Sequence, residues 1–210
     1  MRLTDSERQR DKMKEGQEKD GFRAALDFFA EAGLLKRVRR SGWWVAGIDN
    51  PESVADHSFR TAVIGFYMAY LEDADPFKVV SMSLFNDIHE ARINDLHKMG
   101  HSYIDFKDAE KRVFAHQVDN IHEKVRNSLS ELRHEYDGQE TLESKVARDA
   151  DILECLIQAK EYLDGGYKEA EHFFQTAPDH LETETAQKLW GHISSWDSSE
   201  WWQDVVKFER

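Results

Sequence analysis

The stretch SLFNDIHEARINDLHK, Ser83–Lys98, sets Asn86, Asp87, His89, Glu90, Asp95 and His97 directly behind an apolar run. Upstream, Phe77, Val80, Met82, Leu84, Phe85 and Ile88 recur at helical intervals and predict a largely buried helix, so metal-binding and proton-transferring side chains follow where a core is expected. Helical geometry sets Glu90 beside both Asp87 and Asn86, while adjacent residues diverge by about 100° and flank a common point. That suits one carboxylate on a metal and a second handling protons over it. A helix end with solvated charges would give the same spacing.

Working outward, Asp75 before Pro76 is an N-cap followed by proline at the first helical position. Asp49 or Asn50 before Pro51, with Glu52 in the first turn, repeats the device at the head of the preceding segment, which is apolar nearly all round from Ala62 to Leu71 and belongs in the middle of a bundle. Phe22, Ala25, Leu26, Phe29, Ala30 and Leu34 predict a first core helix, and NDLHKMGHSYIDF reads as loop. Residues 107–133 read as one long amphipathic helix, EYDGQETLES as a turn, and Val146, Ala150, Leu153, Leu156, Ile157 and Leu163 as a core-facing helix ended by Gly165 and Gly166. There is no internal repeat and no convincing strand. The expectation is an all-α, single-domain helical bundle with a polar arm over 1–20, a main domain over 21–168, and a C-terminal extension over 169–210 packed on the same domain or on a dimer partner. The tryptophans of that extension, Trp190, Trp196, Trp201 and Trp202, suit such burial better than base stacking.

The chain has 210 residues and a formal net charge of -13, which argues against binding a nucleic acid polymer. An anionic ligand would need local attraction, such as a bound divalent cation supplies. Cys155 is the sole cysteine, so a disulfide framework and a multi-cysteine zinc site are excluded, and between Leu153 and Leu156 it reads as a small buried residue. With no signal-like apolar core at the N-terminus and no run of 18 apolar residues, the expectation is a cytoplasmic protein that does not span a membrane.

Outside the opening stretch, His57 lies in the first turns of an apolar helix, where a structural histidine is the ordinary alternative. Asp151, Glu154 and Gln158 share a helix face, with Asp149 a nearby competitor. Hard or borderline cations take oxygen and imidazole ligands from several helices, and His57, Asp87 and Asp151 offer them at three separated helical positions.

These segments, PESVADHSFRTAV, LFNDIHEARINDL and KVARDADILECLIQAKEY, resemble the HD-domain metal-dependent phosphohydrolases, within them the small 5'-deoxynucleotidase branch. The likeness runs from about residue 20 to 165. It implies a metal-dependent phosphomonoesterase that hydrolyses deoxynucleoside 5'-monophosphates, and a homodimer. By resemblance the divalent cation (cobalt, manganese, magnesium or similar) falls to His57, Asn86 with Asp87, and Asp151, and the catalytic residues are Glu90 and Asp95. One of these two would orient or deprotonate water and the other protonate the leaving oxygen, in either order. RRSGWW resembles the substrate-side segment, which makes Arg39, Arg40 and Trp43 binding candidates; Arg60, Arg92 and Lys98 are further phosphate contacts to weigh, and His97 and His101 stand in the adjoining loop.

Asn86 departs from the pattern, standing where the family has the histidine of its name. An amide oxygen ligates a hard cation but lacks imidazole's affinity for transition metals. His89 either approaches the vacancy or orients a ligand from behind. The alternatives to the phosphomonoesterase are a nucleotide-binding protein that keeps the pocket with weakened or lost catalysis, and an HD hydrolase of another phosphorylated nucleotide.

Overall fold

The computed structural model describes residues 21–203, 205 and 206; the polar arm expected over 1–20 lies outside them. In chain order the helices are α1 (residues 21–34), α2 (Gly42–Val45), α3 (Val54–Leu71), α4 (Pro76–Phe85), α5 (Glu90–Ile93), α6 (Lys98–His101), α7 (Phe106–Val118), α8 (Glu123–Gly138), α9 (Leu142–Asp164), α10 (Phe173–Thr176), α11 (Glu184–Ile193) and α12 (Glu200–Gln203), with a 3-10 turn at Asn86–His89. An isolated antiparallel bridge, Arg39 to Ser53, is the sole β pairing among the described residues. The fold is all-α.

The helix ends follow side-chain chemistry, with two departures from expectation. α3 starts at Val54 rather than at Pro51, because Ser53 and Asp56 close a reciprocal capping box while residues 51–53 run extended under the bridge. The long helix expected over 107–133 is two helices. Asp119 carbonyl accepts from Arg126, the His122 ring accepts from the Lys124 N–H, and Ile121 is buried in the turn between them. α8 then runs on to Gly138, so Tyr136, expected in a turn, stands in its last turn. Asp75 caps α4 and Thr141 caps α9, which ends at Gly165 with Gly166 at a φ of 100°.

α3, α4 and α9 cross at the centre, where Met68, Val79, Met82, Val146, Ala150 and Leu153 are buried. Gly65 permits the crossing, since a Cβ there would lie 2.9 Å from Val79 Cγ1, 3.0 Å from Ser83 Oγ and 3.6 Å from Ala150 Cβ. α3 is not enclosed as expected. Val54, His57, Thr61, Gly65 and Met68 face inward, whereas Phe59, Val63, Phe66, Tyr67 and Tyr70 form an exposed stripe. α1 likewise buries Phe28 and leaves Phe22, Leu26 and Phe29 exposed. The segment after α9 packs back on it. Leu181, Ala186 and Ile193 enter the core, Phe174 meets Trp190, and buried Asp149 accepts the N–H groups of Glu182 and Thr183. Trp196, Trp201 and Trp202 stay substantially exposed.

Candidate metal centre and substrate cavity

Three helical segments bring the donors together. His57 comes from α3, Asp87 from the turn that ends α4, and Asp151 from α9, and their ligand atoms all lie within 4.8 Å of one another. His57 Nε2 is 2.8 Å from Asp151 Oδ1 and 3.5 Å from Asp87 Oδ2. On the other side of the ring, Nδ1 meets Glu154, a residue with no exposed surface, whose Oε1 also accepts from Arg60 Nε at 2.9 Å. A carboxylate only accepts, so Nδ1 carries the proton and, in the neutral ring, the Nε2 lone pair faces the two aspartates. One imidazole nitrogen and carboxylate oxygens in a buried place fit a hard or borderline divalent cation.

Without an ion, protons take its place. Burial and the Arg40 charge press the His57 pKa down, but Glu154 and Asp151 outweigh them and raise it to about 10. Burial pushes Asp151 and Glu154 up, and His57 more than reverses this, holding both low. Burial raises Asp87, with neighbouring Asp151 adding to the effect.

Asp151 and Arg40 bring the cluster to the wall of a cavity of about 760 Å³, also lined by Trp43, Glu90, Asp95, His97, Lys98 and Phe106. Arg40 Nη1 lies 3.7 Å from Asp87 Oδ2, and Asp87, Asp95, Asp151 and Glu90 hold its charge against burial. Glu90 is buried, and its Oε2 has no hydrogen-bond partner among the described residues. Burial first, then Asp87 and Asp95, raise its pKa well above the carboxylate range. Asn94, at a φ of 60°, turns the chain after α5, and Asp95 accepts the Ser41 N–H at 2.7 Å. Trp43 is buried, donates to Glu52 at 3.0 Å, and is backed by Phe173 and Tyr162.

Other expected contacts lie elsewhere. Arg39 donates to the Pro51 carbonyl, and Arg60 is spent on Glu154, Glu161 and Gln158, so neither lines the cavity. Arg92 pairs with Glu31. Asp149, the rival of Asp151, holds the chain after α9. Asn86 turns its amide N–H to Asp87 Oδ1 at 2.9 Å, acting on a ligand from behind. His89 is buried with Nδ1 3.1 Å from the Asn86 carbonyl and Nε2 3.5 Å from Glu110, outside the cluster of His57, Asp87 and Asp151. Cys155 reaches the cavity, with burial pushing its thiol up to about 12. Tyr136 and Arg148 line the same cavity and were missed from sequence. The helical spacing of Arg148 to Asp151 was the available signal for one; Tyr136, read as part of a turn, had none.

A family model described as HD domain matches residues 32–190. The chain belongs to the HD-domain family. It is 32% identical over 150 residues to human 5'-deoxynucleotidase HDDC2, covering 70% of this chain and 72% of that protein. It is 30% identical over 147 residues to the Dictyostelium discoideum protein of the same name, covering 65% and 76%. Among solved structures, a conserved hypothetical protein from Pyrococcus furiosus superposes with a TM-score of 0.68 at 32% identity, over 81% of this chain and 97% of the other. A protein from Magnetospirillum magnetotacticum described as a predicted metal-dependent phosphohydrolase superposes with a TM-score of 0.68 at 21% identity, over 84% and 92%, a likeness of fold. The chain thus falls in the 5'-deoxynucleotidase branch of that family.

Proposed function

We propose that the chain hydrolyses deoxynucleoside 5'-monophosphates to deoxynucleoside and phosphate. The observation that carries this reading is the convergence of His57, Asp87 and Asp151 beside a buried Glu90 and the Arg40 guanidinium at the wall of a nucleotide-sized cavity. The names of the human and Dictyostelium relatives support the deoxynucleotide as substrate.

His57, Asp87 and Asp151 would hold the cation, which when bound polarises phosphoryl oxygens and makes water a better nucleophile at neutral pH. Arg40 pairs with phosphoryl charge. Asp95, positioned by the Ser41 N–H, orients the attacking water and receives its proton as the new P–O bond forms. As the bond to the 5'-oxygen breaks, Glu90 gives that oxygen its proton; the raised pKa of Glu90 favours this order over the reverse. Trp43, braced by Phe173 and hydrogen-bonded to Glu52, supplies a rigid wall for the nucleoside.

The test is phosphate release from a panel of deoxynucleoside and ribonucleoside monophosphates with magnesium, manganese and cobalt in turn. The reading requires release from deoxynucleotides, its loss in Asp87→Ala, and no comparable activity on diphosphates, triphosphates or cyclic nucleotides. Because the Asn86 amide is engaged with Asp87, a second reading is a pocket that binds the nucleotide without turnover. Tight nucleotide binding with no release, restored by Asn86→His, would select it.

The exposed stripe Phe59, Val63, Phe66, Tyr67 and Tyr70 supports a homodimer, since five such side chains on each copy offer several hundred Å² of apolar surface, near the roughly 800 Å² per partner of a stable interface. Sedimentation of Phe66→Glu should give monomer where the unaltered chain gives dimer. No helix among the described residues is long and apolar enough to cross a membrane, and the free Cys155 thiol suits work in the cytoplasm.

A further inference from the structure

Arg148 has no part in the arrangement above, yet its surroundings call for an anion. It stands one helical turn before Asp151 on the same face of α9, which brings the two Cβ atoms to about 5–6 Å. It is half-buried and lines the cavity, but among the described residues its guanidinium makes no hydrogen bond and no ion pair. Of the other arginines near the site, Arg60 is committed to Glu154, Glu161 and Gln158 and Arg133 to the Asn86 carbonyl and Asp137, which leaves Arg40, 3.7 Å from Asp87. Five donors left idle in a half-buried place are a standing cost unless a ligand meets them.

Charge balance identifies the ligand. Asp87 and Asp151 would balance a divalent cation, and Asp95 is among the acids that offset the Arg40 charge. Of the remaining cavity groups, Asp137 pairs with Arg133, and Glu110 lies near both His89 and Arg133. Lys98 and Lys107 are exposed. A phosphomonoester dianion would therefore meet almost no net positive charge from Arg40 and the cation alone. Arg148, on the cavity wall one helical turn from Asp151, supplies it.

We infer that Arg148 is a second phosphate-binding guanidinium, gripping the phosphoryl group from the α9 side while Arg40 meets it from the segment before α2. The inference rests on the monophosphatase reading and deepens it.

Arg148→Gln and Arg148→Lys test it, each first compared with the unaltered chain for thermal midpoint and for manganese affinity without phosphate. With manganese present, Arg148→Gln should raise KM for the preferred deoxynucleoside monophosphate, and the Kd of inorganic phosphate by titration calorimetry, about tenfold or more, as loss of a charge-assisted contact does. kcat should change less, Arg148→Lys should recover part of the loss, and the unphosphorylated deoxynucleoside should bind all three proteins alike. Unchanged phosphate affinity in an active background would overturn the inference and leave the monophosphatase intact. An equal loss for the deoxynucleoside would turn Arg148 into a sugar or base contact, and a loss of manganese affinity into a support of the metal ligands, each overturning it. An unaltered chain that neither hydrolyses monophosphates nor binds phosphate would sink the parent reading and this role together.

Discussion

Replacing Glu154 by Gln keeps the shape of the side chain and removes its charge at the point that aims His57. In the native site the carboxylate accepts from Nδ1, which leaves Nε2 facing Asp151 at 2.8 Å and Asp87 at 3.5 Å. Glutamine can present its oxygen to Nδ1, but its amide nitrogen competes for that place and would select the tautomer with a proton on Nε2, where the cation needs a lone pair. Arg60 loses one ion pair and keeps Glu161 and Gln158, so the crossing of α3 and α9 persists. Loss of a partner behind a metal-ligating histidine weakens metal affinity by about 10–100-fold. That is about 1.4–2.7 kcal/mol in cation binding. Titration calorimetry with manganese at fixed pH reads the effect, with thermal unfolding in chelator as the control for folding. The charge change has a second signature. Glu52 is pushed up to about 7 by burial first and by the Glu154 charge next, so it should ionise at lower pH in the variant. A folded Glu154→Gln protein whose manganese affinity stays within twofold of the unaltered chain would refute the assigned role.

Asn86→His adds an imidazole where the resemblance to the family expects one and should tighten cobalt or manganese binding about tenfold or more while leaving magnesium nearly unchanged, as measured by calorimetry; equal affinities would place residue 86 outside the ligand sphere. Gly65→Ala brings a Cβ to 2.9 Å from Val79 Cγ1, an overpacking cost of about 1–3 kcal/mol against about 1 kcal/mol gained in helix propensity, a net loss of up to about 2 kcal/mol, so the thermal midpoint should fall by up to about 8 °C. An unchanged midpoint would mean that α3 and α4 part easily. For pH, the folded pKa of His57, about 10, lies above the ordinary 6.5, so the stability from its charged contacts is full below pH 6.5 and is lost as pH rises toward 10. Urea midpoints in chelator should therefore decline across that window, and Asp151→Asn should flatten the decline; a flat profile in the unaltered chain would contradict the charged ring.

Much of the fold was legible because it lies in local chemistry. Asp75 before Pro76, Gly165 with Gly166, and the apolar spacing of Val146 to Leu156 each mark an element that needs no distant partner to be recognised. What the chain does not announce is which side of an apolar helix faces the core. Ala62 to Leu71 is apolar all round, and only the close approach at Gly65 decides that Met68 is buried and Phe66 exposed. The break between α7 and α8 was hidden for a similar reason, since Ile121 continues the apolar pattern through a turn made by Asp119, His122 and Arg126. In the site, His57, Asp87 and Asp151 could be set together from helical position and resemblance, whereas the commitments of Arg39 and Arg60 could not. An arginine looks the same in sequence whether it is paired with Glu161 or free to meet a ligand, and Arg148 and Arg60 differ only in their tertiary partners.

The site is built at a cost that its ligand can recover. Asp87, Glu90, Asp151 and Glu154 converge in a place where burial opposes every negative charge, and the folded chain answers with a raised Glu90 pKa, a charged His57, and the Arg40 and Arg60 guanidiniums. Each answer differs in what a cation does to it. A divalent ion held by His57, Asp87 and Asp151 would displace the His57 proton and take over the charge of the two aspartates, whereas the Arg60 pair behind Glu154 would be untouched, so the scaffold that aims these side chains would stay fixed. Binding should therefore release protons and stabilise the fold together, by RT ln(1 + [L]/Kd) where L is the free cation. Burial and its carboxylate neighbours hold the Glu90 pKa up, and an ion that neutralised Asp87 would weaken part of that hold, tying the acidity of Glu90 to the cation beside it.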